Sequence, residues 1–130
     1  MSATRELVGL AALGPEPAAR PALQPEPAMK PLMYGYLRIT DDLPDDAIQQ
    51  MERRLRALAE AEGFCFATTF YEYRPGYHGA FAELTEELKR AEAHHVVVLS
   101  LDHLSQHRLL RHHMLARLEF EANAQVWAVQ

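Results

Sequence analysis

From position 32 onward, short β-branched and aromatic runs alternate with longer stretches of helical spacing, and that alternation leaves few folds open. Residues 32–39, 64–73, 95–101 and 125–129 read as strands, the third centred on Val96, Val97, Val98 and Leu99. Between them, residues 44–62 set Ile48, Met51, Leu55 and Leu58 on one helical face, with Gly63 as a stop signal. Glu52 and Arg56 stand one turn apart on its outer side, placed to pair. Phe81, Leu84, Leu88 and Ala91 stripe a second helix, and Leu110, Met114, Leu118 and Ala122 a third over residues 107–122. Strands that alternate with helices require crossovers, hence a parallel sheet covered on both faces. Right-handed connections then favour a doubly wound, four-stranded α/β domain with order 2-1-3-4. In such sheets a ligand sits beyond the carboxyl ends of the strands, where strand order reverses. Here that point lies between strands one and three, where Arg38 and Thr40 leave the first strand and Asp102 the third.

The domain is expected over residues 32–130, because six of the eight prolines fall between Pro15 and Pro31. Proline fixes φ and removes a backbone donor, so neither helix nor sheet runs through such a stretch. Residues 1–31 are expected to form a flexible Pro/Ala-rich tail or tether. The apolar stretch from Leu7 to Leu13 follows Glu6 and ends before Pro15, far short of the about 20 residues of a membrane span. Cys65 is the single cysteine, so no internal disulfide forms, and a cytoplasmic setting is expected. The formal charge is −5, with Lys30 and Lys89 the two lysines. Binding to DNA phosphates needs clustered cations, so global charge disfavours this chain as a free-standing DNA binder.

Two segments at the expected switch point carry a resemblance. Tyr36-Leu37-Arg38-Ile39-Thr40 resembles the strand ending Tyr-x-Arg-x-Ser of the resolvase/invertase class of serine recombinases, with threonine at the nucleophile position. Leu101-Asp102-His103-Leu104-Ser105-Gln106 resembles that family's Leu-Asp-Arg-Leu-x-Arg, keeping the aspartate and both leucines. Ile48-Gln49 stands at the offset where the family often carries Ile-Gln, and His78 falls near the place of a third family arginine. The resemblance covers about residues 32–130 and implies a resolvase-type catalytic fold. It also implies a site in which Thr40, Arg38 and Asp102 are the principal members. Gln49, His78, His103 and Gln106 are secondary ones.

The departures fall on the cations. Phosphoryl transfer relies on positioning and on donors that stabilise charge spreading over the phosphate. Arginine is always charged and grips phosphate through a planar fork. A histidine at position 103 is mostly neutral at pH 7, and Gln106 carries no charge. Loss of one transition-state donor typically costs about 3–4 kcal/mol, so three replaced arginines imply a catalytically silent domain. The family also carries a dimer-forming helix and a DNA-binding helix-turn-helix after this core, and the sequence ends at Gln130. The expectation is therefore a recombinase-type scaffold that works by association, with a protein partner or a second copy, and binds DNA weakly alone. The enzyme alternative uses Thr40 as nucleophile, completed by a partner. Other readings give these residues structural work: Arg38 satisfied by Asp41 or Asp42, Thr40-Asp41-Asp42 capping the first helix, and Asp102 capping the third. The seven histidines, all between His78 and His113, lack a carboxylate or cysteine at zinc spacing, so no metal or cofactor is expected. Asp41, Asp42 and Asp102 also mimic the acidic cluster of a receiver-type phosphoacceptor domain, but no lysine follows Lys89 to complete it.

Overall fold

The computed structural model describes residues 30–74 and 76–130, so the tail expectation lies mostly outside the described residues. Strands β1 (Leu32–Arg38), β2 (Cys65–Glu72), β3 (His95–Val98) and β4 (Gln125–Ala128) alternate with helices α1 (Asp45–Ala61), α2 (Gly79–Ala91) and α3 (Arg108–Ala122). All strand pairs are parallel and the order is β2-β1-β3-β4, as the alternation requires. Side chains of a strand point alternately to the two sheet faces, and β1 uses both. Met33, Leu37 and Ile39 join Leu55 and Ala59 of α1 on one face. Tyr34 and Tyr36 join Phe81, Leu84 and Leu88 of α2 and Met114 and Leu118 of α3 on the other.

Gly35 governs how closely α1 approaches. A Cβ there would lie 3.0 Å from Leu55 Cδ1 and 3.1 Å from the tip of the Phe66 ring. Opposite it the register of β2 shifts between Met33 and Gly35, the mark of a bulge. After α1, Gly63 takes φ +86° and turns the chain into β2.

Three local expectations need correction. The third strand was expected to reach residue 101, but β3 ends at Val98 and Leu101–His103 forms one 3₁₀ turn. Pairing of β1 with β3 stops at Tyr34↔Val96 and Gly35↔Val97. Farther along β1, the Arg38 N–H donates to His103 Nδ1 at 3.1 Å, so an imidazole supplies a bond that a longer strand would have made. Glu52 accepts from the Tyr71 hydroxyl and the Arg56 guanidinium lies 4.9 Å over the Phe66 ring, so packing against β2 takes both away from the expected mutual pair. Nor does Thr40-Asp41-Asp42 cap α1. The helix begins later, after Pro44, and has no side-chain cap.

Candidate functional site

Arg38 leaves the end of β1 on the α2/α3 face and meets an acceptor with every N–H. Nε donates to the His103 carbonyl (3.1 Å), and Nη2 to the Leu104 carbonyl (3.0 Å) and the Tyr36 hydroxyl (3.2 Å). Nη1 donates to the carbonyls of Tyr77 (3.3 Å) and Arg74 (3.4 Å). A guanidinium has five N–H donors, and all five are engaged. None goes to Asp41 or Asp42, because the side chain turns toward the loops after β2 and β3. Its work is to tie those two loops to the end of β1.

His103 reinforces that knot from the other side. Nδ1 accepts a backbone N–H, so the ring is the neutral Nε2–H tautomer. Burial holds its pKa below the ordinary histidine value, the Arg38 charge adds to the effect, and Asp102 opposes it. These surroundings favour the uncharged ring.

Behind Arg38 lies a network that the sequence did not announce. The buried Glu72, the last residue of β2, accepts from the Tyr36 hydroxyl at 2.9 Å. The same carboxylate accepts the N–H of Phe81 (3.1 Å) and of Ala80 (3.2 Å) in the first turn of α2. It therefore caps α2, where His78 at the N-cap position makes no side-chain cap. Burial pushes the Tyr36 phenol well above its usual range, against the pull of Arg38, so the hydroxyl stays a donor to Glu72. A glutamate closing an apolar strand was the available signal, but nothing local tied it to a helix end eight residues away.

Beside this knot opens a cleft of about 370 Å³ lined by Arg38, Thr40, His78, Asp102 and Gln106, together with Ser105 and His107. Five of the seven expected site residues thus share one cleft at the carboxyl ends of β1 and β3. His103 belongs to the knot beneath it. Gln49 does not join them: it is exposed on α1, in a separate shallow groove with Glu52, Arg53 and Arg56. Asp102 is exposed and pairs with Arg111 of α3 at 2.8 Å, a cation that sequence reasoning had not assigned to the site. Ser105, not Asp102, accepts the His107 N–H at the start of α3. The Thr40 hydroxyl donates to Asp42 Oδ1 at 2.6 Å, and that bond holds the Asp42 carboxyl below its usual pKa. A larger groove of about 630 Å³ runs along α3 near the starts of β3 and β4, lined by His94, His95, Glu119 and Gln125. It contains none of the expected site residues. Among the described residues, no three His, Cys, Asp or Glu side chains gather as metal ligands, and no helix is long and apolar enough to cross a membrane.

The parallel 2-1-3-4 sheet, with helices on both faces, defines the class of this fold. It is that of serine recombinase catalytic domains. Among solved structures, the C-terminal catalytic domain of ISC1926 TnpA, an IS607-like serine recombinase, superposes with a TM-score of 0.64 at 12% identity, covering 75% of this chain and 68% of that one. The N-terminal catalytic domain of TP901-1 integrase gives 0.62 at 19% identity, covering 75% of this chain and 76% of that one. No protein-family model matches the sequence, and no curated protein matches it.

Proposed function

We propose that this chain is a serine-recombinase-type scaffold that acts by associating with protein and does not transfer DNA strands. One observation carries the reading: the arginine that would hold the phosphate has all five N–H groups committed to the protein's own oxygens. Releasing them for a phosphate would strand the part-buried carbonyls of His103 and Leu104, at a cost of about 1–3 kcal/mol for each group left buried and unpaired. The substitutions nearby agree, since His103 is held neutral, Gln106 carries no charge, and Arg111 is already paired with Asp102. The overall charge of −5 adds no attraction to DNA.

One geometric feature favours a second reading, residual phosphoryl transfer with Thr40 as nucleophile. Asp42 stands within hydrogen-bond reach of the Thr40 hydroxyl, the arrangement of a nucleophile and its base. Its lowered pKa makes it a weak proton acceptor, which is why this reading ranks second.

The test is to incubate the chain with supercoiled DNA, alone and with nuclease-treated host extract, and to score DNA that remains covalently bound after denaturation. No covalent linkage is expected, together with capture of a specific protein or a second copy. Linkage that disappears in Thr40→Ala would overturn the association reading.

A further inference from the structure

Helix α3 has one face in the core and a second one in water. Met114, Leu118 and Ala122 are buried. On the other side Leu109, His113, Ala116 and Phe120 recur at i, i+4, i+7 and i+11, so they line one face with a large apolar side chain at each end. Leu109 is 85% exposed and Phe120 82%, the two most exposed large apolar side chains among the described residues. They stand about three turns apart on one line of the helix. A single exposed leucine is ordinary, but an apolar anchor at each end of one stripe marks an interaction surface.

The charges on α3 decide what fits there. Arg108 lies at its start, beside an Arg111 already paired with Asp102, and Glu119 and Glu121 lie in its last turn, with no acidic residue in the first turn and no basic one in the last. That is the reverse of what the helix macrodipole favours. An antiparallel copy of the same helix corrects both ends, because it lays a negative carboxyl end beside each positive amino end. The stripe has the matching symmetry. A two-fold axis through its middle sets Leu109 opposite Phe120 of the second copy, and His113 opposite Ala116. The small Ala116 at the centre lets the two axes come close. Along one flank, Glu119 of each copy meets the level between Arg108 and His112 of the other. On the opposite flank, Arg117 and Glu121 of one helix already pair with each other at 3.0 Å. A partner with a single sign of charge would meet repulsion at one end of this face, and a second copy meets none.

The geometry points to α3 as a self-pairing surface, through which two copies of this chain join in an antiparallel, two-fold helix pair. The inference rests on the reading of the domain as an association module and names its partner. One helix pair buries less than the standard interface of about 1,600 Å², so the dimer is a concentration-dependent one.

Sedimentation equilibrium of the full chain, in a Cys65→Ser background that excludes disulfide artefacts, tests it. A monomer–dimer equilibrium is expected, and Leu109→Glu or Phe120→Glu should abolish it while leaving circular dichroism and the thermal midpoint unchanged, since both side chains are exposed. Arg108→Glu and Glu119→Arg should each weaken self-association at least tenfold, and an equimolar mixture of the two variants should restore it. Only an antiparallel two-fold pair predicts that rescue. A chain that stays monomeric at all concentrations overturns the inference, as does a dimer indifferent to Leu109→Glu and Phe120→Glu, or a mixture without rescue. A monomeric chain that captures a different protein through Leu109 and Phe120 removes self-pairing and leaves the association reading standing. Covalent linkage to DNA through Thr40 removes that reading whatever the stoichiometry.

Discussion

Arg38 shows how one side chain can hold two loops to the end of a strand. Its five N–H groups meet carbonyls in two loops and the Tyr36 hydroxyl, so its charge is dispersed over protein dipoles. A lysine offers three donors from a single point and cannot span these acceptors. Arg38→Lys should therefore lower unfolding stability by about 2–3 kcal/mol in urea titration. An arginine kept free for a ligand would tolerate the change with no loss, and an unchanged urea midpoint would sink the structural reading. Asp102 illustrates the opposite case. The sequence placed it at the right strand end, but its ion pair with Arg111 depends on how α3 lies across the turn.

At the scale of elements, the helices and strands followed from periodicity, because each side chain's face is set by its position in the local repeat. The inward residues of α3 were legible for that reason: Leu110, Met114, Leu118 and Ala122 all face the core. The limits of elements were less legible where another element supplied the last hydrogen bond. Strand β3 stops short because His103 serves the Arg38 N–H, and α2 starts where Glu72 caps it. Gly35 is an element-scale residue as well, since its missing side chain sets the distance between α1 and the sheet. A Cβ would press on Leu55, Phe66 and Thr69 at 3.0–3.2 Å. Gly35→Ala should cost about 1–3 kcal/mol through overpacking, read as a lower thermal midpoint. Wild-type stability in that variant would mean that α1 shifts freely on the sheet.

The whole molecule carries a pH response that no single element explains. His103 and His95 both have pKa values held below the usual histidine value: burial is the main cause for each, joined by the Arg38 charge at His103 and by His94 at His95. In each ring Nδ1 accepts an N–H, from Arg38 and from Trp127 respectively. A lowered histidine pKa means that the unfolded chain binds protons first as pH falls. Stability is therefore full above about pH 6.5 and declines as pH drops through that value toward the folded pKa. The carboxylates Asp42, Glu87 and Glu121 have lowered pKa values and act in a more acidic window. Urea midpoints should fall between pH 7 and pH 5, and His103→Asn, which keeps an acceptor but does not titrate, should flatten part of that slope. A profile identical in the variant would remove His103 from the account.

His78 and Gln106 were reached only through the resemblance, whereas the sequence's own pattern determined the class of fold, the strand order and the meeting of Arg38 and Thr40 with Asp102 at one end of the sheet. Those follow from local periodicity and from the handedness of crossovers, which are properties of neighbouring residues. Tertiary structure alone decided what those residues are free to do. The carbonyls that Arg38 meets lie 36 to 66 residues away along the chain, and their distance from its nitrogens is set by how whole elements pack. A hydrogen bond forms or fails within a few tenths of an ångström, a precision that no pattern of residue types contains.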